Sequence, residues 1–192
     1  MKTFQIIKQA VSLAVAMTAV GAFGGEASTY PVPYSHDEKM SSFKPNGYIL
    51  AQKLVDQLPR RFPEVEYGLM HAPLPDGSER VVIASHRPEQ VGEIDMAVDI
   101  AVAREECIYI IPRKRQNYAS TVIMLPAKDA SGKFIQAVWS IYFYSDRHDS
   151  VPKILERAMA VRDEMAKQIP GLDALFQPVK RDPPSFRVPG TD

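Results

Sequence analysis

The chain has 192 residues with 45% hydrophobic and 24% charged content, the balance of an ordinary globular domain rather than of a disordered, collagen-like or polytopic membrane chain. Lys plus Arg and Asp plus Glu both number 23, so the net charge is zero and the basic excess of a general nucleic-acid binder is missing. One cysteine, Cys107, excludes an intramolecular disulfide framework and a Cys-rich zinc module.

The first element read from the N-terminus is an address. Lys2 and Lys8 precede an uncharged run of small and apolar residues from Ala10 to Phe23. That run is shorter than the ~20 residues an easy membrane span needs. Gly25-Glu26-Ala27 follows with a small-x-small pattern, so residues 1–27 are expected to be a secretory signal peptide cleaved after Ala27. The expected location is the bacterial periplasm, with no membrane span left after cleavage. No cysteine lies near the cleavage point to carry a lipid.

Residues 28–47 contain Pro31, Pro33, Pro45, Asn46 and Gly47 and read as an extended lead-in. Tyr48 to Arg60 then places Ile49, Leu50, Leu54, Val55 and Leu58 at helical spacing, and Pro63 stops that helix. Val65 to Ala72 and Arg80 to His86 are predicted strands, paired as a hairpin through the Asp76-Gly77 turn. Pro88 to Arg104 is predicted as one helix with Val91, Ile94, Val98 and Val102 on its apolar stripe.

Three further strands are expected at Glu106–Pro112, Tyr118–Leu125 and Phe134–Tyr144. Cys107 is expected to be a buried, inert thiol. In the last strand Ala137, Trp139, Ile141 and Phe143 alternate with Gln136, Ser140 and Tyr142. Ser150 to Ile169 is a final helix with Ser150 as its candidate cap and Pro152 in the first turn. Its stripe runs through Val151, Leu155, Ala158, Val161 or Arg162, Met165 and Ile169. Residues 177–192, with Pro178, Pro183, Pro184 and Pro189, form a Pro-rich tail.

The order is α-β-β-α-β-β-β-α. It predicts an α+β domain over residues 48–176, a five-stranded antiparallel sheet with flanking helices. The final helix should cover the face bearing Trp139. The opposite face, under the middle helix, should hold a cavity.

Several stretches resemble the extracellular PAS-like sensor domains of the Cache or PDC group, in their small single-domain periplasmic form. They are His71-Ala72-Pro73 with Gly77-Ser78, Val82-Ile83-Ala84-Ser85, and Gly92 with Asp99. They continue with Leu125-Pro126, Asp129-Ala130-Ser131-Gly132-Lys133, Phe143-Tyr144 and Arg162-Asp163. The resemblance spans about residues 48–169. It implies a small molecule held between sheet and helix, and a signalling partner in the envelope. The chain departs from the usual sensor in having no second membrane span and no kinase or chemoreceptor module.

A search for reactive patterns finds no P-loop, GxGxxG or GxSxG, and no paired-histidine metal motif among His36, His71, His86 and His148. Asp146-Arg147-His148-Asp149 is the densest polar cluster and reads as a solvated loop before the last helix; Arg113-Lys114-Arg115 reads as an exposed basic turn. No catalytic residue, metal ligand or cofactor is assigned. The candidate ligand-binding residues are His71, Ser85, Tyr118 and Tyr142, polar groups set on an apolar wall. The leading function is a non-enzymatic, exported small-ligand-binding domain. One alternative is a periplasmic enzyme or a metal- or haem-binding protein using His71, His86 or His148. The other is an interaction module docking on an envelope protein.

Overall fold

A computed structural model of the chain describes residues 39–114, 119–145 and 149–182. The expected signal peptide at residues 1–27, His36, Arg115, Tyr118, Asp146 to His148 and most of the Pro-rich tail lie outside these residues.

Helix α1 spans Leu50–Arg61, and strands β1 (Val65–Pro73) and β2 (Arg80–Ser85) follow as an antiparallel pair. Helix α2 spans Ala97–Glu105. Strands β3 (Tyr109–Lys114), β4 (Ala119–Lys128) and β5 (Phe134–Ser145) complete one antiparallel sheet of order β2-β1-β5-β4-β3, and α3 spans Val151–Ala166. The α+β class with five antiparallel strands and flanking helices is therefore as expected.

The alternation in β5 divides the molecule. Trp139, Ile141 and Phe143 enter the larger core, with Leu54, Leu58, Met70 and Ile83, and with Ile154, Ala158, Val161 and Met165 of α3. Thus α1 and α3 cover the Trp139 face. Val138 and Tyr142 point the other way, into a second cluster with Tyr67, Leu69, Val82, Val122, Met124 and Val102 of α2. Two irregularities in register make the division work. Between Val65 and Tyr67 the pairing with β5 slips, so Val65 joins the larger core and Tyr67 the smaller. Between Met70 and His71 the pairing with β2 slips, with Ile83 as the extra residue. Bulges of this kind re-aim side chains.

The close approach of α1 to the sheet depends on Gly68, because a β-carbon there would overlap Leu58 Cδ1. The β4–β5 hairpin is organised by Asp129. Its Oδ1 accepts from Ser131 N (2.9 Å), Ser131 Oγ (2.6 Å) and Lys133 N (3.1 Å), while Gly132 takes the left-handed φ of +84°. Pro112 lies in β3, an edge strand, where a missing N–H leaves no inner ladder position empty.

Several elements differ from the sequence expectation. The predicted helix over 88–104 is a single 3₁₀ turn, Pro88–Gln90, followed by a short extended segment and then α2. The apolar stripe is present, but Gly92 (φ +97°) breaks the helix. The freed backbone pairs instead: Val82 N donates to Glu93 O (2.8 Å), Asp95 N to Arg80 O (2.9 Å) and Ile94 N to Lys39 O (2.9 Å). A mixed helical and extended segment thus satisfies the edge of β2. Ser150 occupies the N-cap position of α3 without a side-chain bond; Val151 is exposed and Ile154 buried in the first turn, while Ala158, Val161, Arg162, Met165 and Ile169 of the predicted stripe are buried as expected. Cys107 is half-buried and sits just before β3. Its thiol is pushed up from its ordinary value by burial and by the nearby Glu105 charge. The start of the tail is not free of structure, because Leu50 N donates to Gln177 O and Val179 N to Tyr48 O. Among the described residues no helix is long and apolar enough to cross a membrane.

Candidate functional site

Regular alternation along β1 puts His71 on the same face as Tyr67 and Leu69, the α2 side of the sheet. Four polar side chains meet there. His71 comes from β1 and Ser140 from β5, the adjacent central strand. Asp95 comes from the extended segment, fixed by the Asp95 N–Arg80 O bond, and Asp99 from the first turn of α2. His71 Nδ1 and Asp95 Oδ1 are 2.8 Å apart. Ser140 Oγ is 3.2 Å from His71 Nε2, and Asp99 Oδ1 is 3.6 Å from the same nitrogen. Arg80 Nε donates to Asp95 Oδ2 at 3.1 Å, and its Nη2 to Gln136 O at 2.8 Å.

The orientation of Asp99 is set by the helix it sits in. Met96 N donates to Asp99 Oδ2 at 2.9 Å, satisfying an orphan donor at the start of α2. That bond aims Oδ1 at the imidazole. Asp99 Oδ1 accepts no hydrogen bond, although the residue is only 1% exposed. Buried carboxylate oxygens normally find a partner, so an orphan at this position asks for an explanation.

Burial and charge act together on the two titratable groups. Burial pulls the His71 imidazole down, but the Asp99 and Asp95 carboxylates outweigh it and hold the ring above its ordinary value. Burial pushes the Asp99 carboxyl up, against the opposing pull of His71. Arg80 balances Asp95.

The cluster lies under a thin cover. Of the nine residues of α2, only Asp99, Val102 and Ala103 are buried. His71 (6% exposed) and Ser140 (3%) are shielded from solvent. The expected cavity on this face is instead a closed polar cluster next to a small apolar one, because the side chains of α2 and the segment before it pack down onto the sheet.

The predicted residues fall out unevenly. His71 is at the centre of the cluster. Tyr142 shares its sheet face but pairs with Tyr67, four residues along β1 from His71 and so about 13 Å away at ~3.3 Å per residue. There it stacks on Tyr67 at 3.9 Å, with the Arg87 guanidinium 4.5 Å over the Tyr67 ring. Ser85 stands opposite Leu69, two pairs from His71's row. Its Oγ donates to Gln90 (3.0 Å) and accepts from Arg87 N (3.0 Å), closing the turn after β2. Tyr118 lies outside the described residues. His86 is elsewhere, with Nδ1 accepting from Gly68 N at 3.1 Å beside an open groove of about 610 Å³ lined by Asp56, Arg60, Arg181 and Asp182. The residues that sequence reasoning missed are Asp95, Asp99, Ser140 and Arg80. Asp95-x-x-x-Asp99 has helical spacing, but only a broken helix brings both carboxylates to one imidazole.

No protein-family profile matches the chain, and no curated protein matches it in sequence. Among solved structures the chain is similar to the GAF domain of an Acinetobacter phosphoenolpyruvate-protein phosphotransferase, at 14% identity and a TM-score of 0.36, over 60% of this chain and 77% of that one.

Proposed function

We propose that this protein is an exported, non-catalytic small-ligand-binding domain of the PAS-like sensor type, with its ligand site at the His71–Asp99–Ser140 cluster beneath α2. The observation that carries the reading is Asp99 Oδ1, a buried acceptor without a donor, next to a histidine nitrogen and a serine hydroxyl under a short helix. A ligand that presents a proton donor or a positive centre to Asp99 satisfies that oxygen. Outward movement of α2 admits it, and the movement itself is the signal an envelope partner reads. The test is mass spectrometry of small species released from freshly purified, denatured protein. Wild type should release a species that Asp99→Asn does not retain; equal retention by both argues against this site.

A second reading is favoured by one feature. Ser140 Oγ, His71 and Asp95 are connected in the sense of a nucleophile, a base and the group that orients it. The position of Ser140 in the central strand opposes it, since no substrate carbonyl reaches that hydroxyl while α2 is in place. Turnover of a chromogenic ester that disappears in Ser140→Ala would establish the enzyme reading.

A further inference from the structure

Asp95, His71 and Asp99 stand in series, and the series has a direction. Arg80 Nε holds Asp95 Oδ2, and Asp95 Oδ1 faces His71 Nδ1. A carboxylate on Nδ1 fixes the tautomer that carries its proton there and leaves the Nε2 lone pair as the acceptor, within hydrogen-bond distance of Ser140 Oγ. That lone pair points into the space shared by Asp99 Oδ1 and Ser140 Oγ. A ring nitrogen oriented by a carboxylate behind it, with an anionic oxygen in front, is the arrangement that metal-binding histidines use.

The distances fit. Nε2 and Asp99 Oδ1 are 3.6 Å apart, so a cation about 2.0–2.1 Å from each subtends an angle of about 120°, within reach of tetrahedral coordination. Ser140 Oγ at 3.2 Å from Nε2 lies on the same side as a weaker third donor. The candidate ligand atoms of His71, Asp95 and Asp99 all fall within 4.8 Å of one another. The independent mark of a missing partner is Asp99 Oδ1, buried, unbonded and aimed at the spot.

We propose that His71 Nε2 and Asp99 Oδ1, supported by Ser140 Oγ, bind a divalent transition-metal cation, with Asp95 as the group behind the imidazole and Arg80 as its anchor. The proposal rests on reading the cluster as the ligand site and names the ligand's class. Chemistry selects the class. One imidazole with one carboxylate suits Zn²⁺, Co²⁺, Ni²⁺ or Cu²⁺, whereas Mg²⁺ and Ca²⁺ want an all-oxygen shell. The cation supplies the partner that Asp99 Oδ1 lacks. Its remaining coordination positions go to water. Entry is from the α2 side, where Val102 and Ala103, with the partly buried Val98, anchor the short helix by apolar contact.

The experiment is titration of chelator-stripped, dialysed protein with Zn²⁺, followed by calorimetry and by the imidazole NMR signals of wild type. One Zn²⁺ per chain should bind and shift the His71 ring signals while leaving those of His86 in place, and Mg²⁺ should do neither. Asp99→Asn keeps a side-chain acceptor for Met96 N and should abolish the uptake; Asp95→Asn should weaken it about 10–100-fold. The wild-type NMR readout stands even where a variant does not fold. No uptake, or uptake that leaves His71 unmoved, overturns the metal site. If no metal binds but an organic molecule co-purifies with wild type and not with Asp99→Asn, the metal assignment falls and the ligand-site reading survives. If neither is retained, both fall.

Discussion

Asp99 Oδ1 faces His71 Nε2 across 3.6 Å without accepting a hydrogen bond, while its other oxygen caps the helix that covers them both. One residue therefore does two jobs. It starts α2, and it leaves a buried oxygen without a hydrogen bond at the sheet surface beneath that helix. Anything that binds Asp99 Oδ1 acts directly on the first turn of α2, which links occupancy of the site to the position of its cover.

The two described histidines should titrate on opposite sides of 6.5 in the ligand-free protein. His71 is held up by Asp99 and Asp95 against the effects of its own burial and Arg80, whereas burial pulls His86 down. The linkage has opposite signs. The His71 contribution to stability is present below 6.5 and is lost as pH rises through its folded value. The His86 contribution is present above 6.5 and is lost as pH falls through its folded value. Histidine NMR titration of the stripped protein checks both, and His71 titrating below His86 would refute the charge account of the cluster.

Trp139→Ala should cost about 3–5 kcal/mol. Trp139 is fully buried between the sheet and α3, and its indole N–H has no partner among the described residues, so its stabilisation comes from packing. Chemical denaturation reads the loss; an unchanged midpoint would contradict the face assignment.

Gly68→Ala should destabilise by about 1–3 kcal/mol, since the added methyl meets Leu58 Cδ1 and that fully buried side chain must repack. Pairing it with Leu58→Ala should recover part of the loss relative to the sum of the single changes. Additive losses would show that the two residues do not share the contact.

Arg80→Met should destabilise by about 3–5 kcal/mol, because Asp95 is buried and its Oδ2 then loses its cationic partner. The double change Arg80→Met with Asp95→Asn should cost less than the sum of the single changes. Thermal melts of the three variants measure the difference, and strict additivity would dissolve the Arg80–Asp95 link.

The sheet was readable in the sequence because its signals are local. The alternation around Trp139, the Asp76-Gly77 turn and the Asp129-to-Lys133 hairpin each specify a strand or its end. His71 was readable as a polar group on an apolar strand. Its partners were not. Asp95 reaches the cluster only because Gly92 interrupts a helical pattern and lets residues 93–95 pair with β2. Ser140 reads only as a polar residue on the face opposite Trp139, with no partner named for it, until α2 is placed over it. Tyr142 and Ser85 had the right chemistry on the right strands, but register put one beside Tyr67 and the other at the turn into Arg87.

Export should remove about the first 27 residues, since the positive start, apolar run and small-x-small site suit signal processing. Intact mass of the periplasmic fraction tests this. Only full-length chain in the cytoplasm would refute it.

The central claim is that His71 and Asp99 hold a ligand under α2. Native mass spectrometry of gently purified wild type and Asp99→Asn, with folding of both verified by circular dichroism, tests it most directly. The account predicts a bound species on wild type that is missing from the variant. Identical spectra for the two proteins, both bare or both carrying the same adduct, would contradict it.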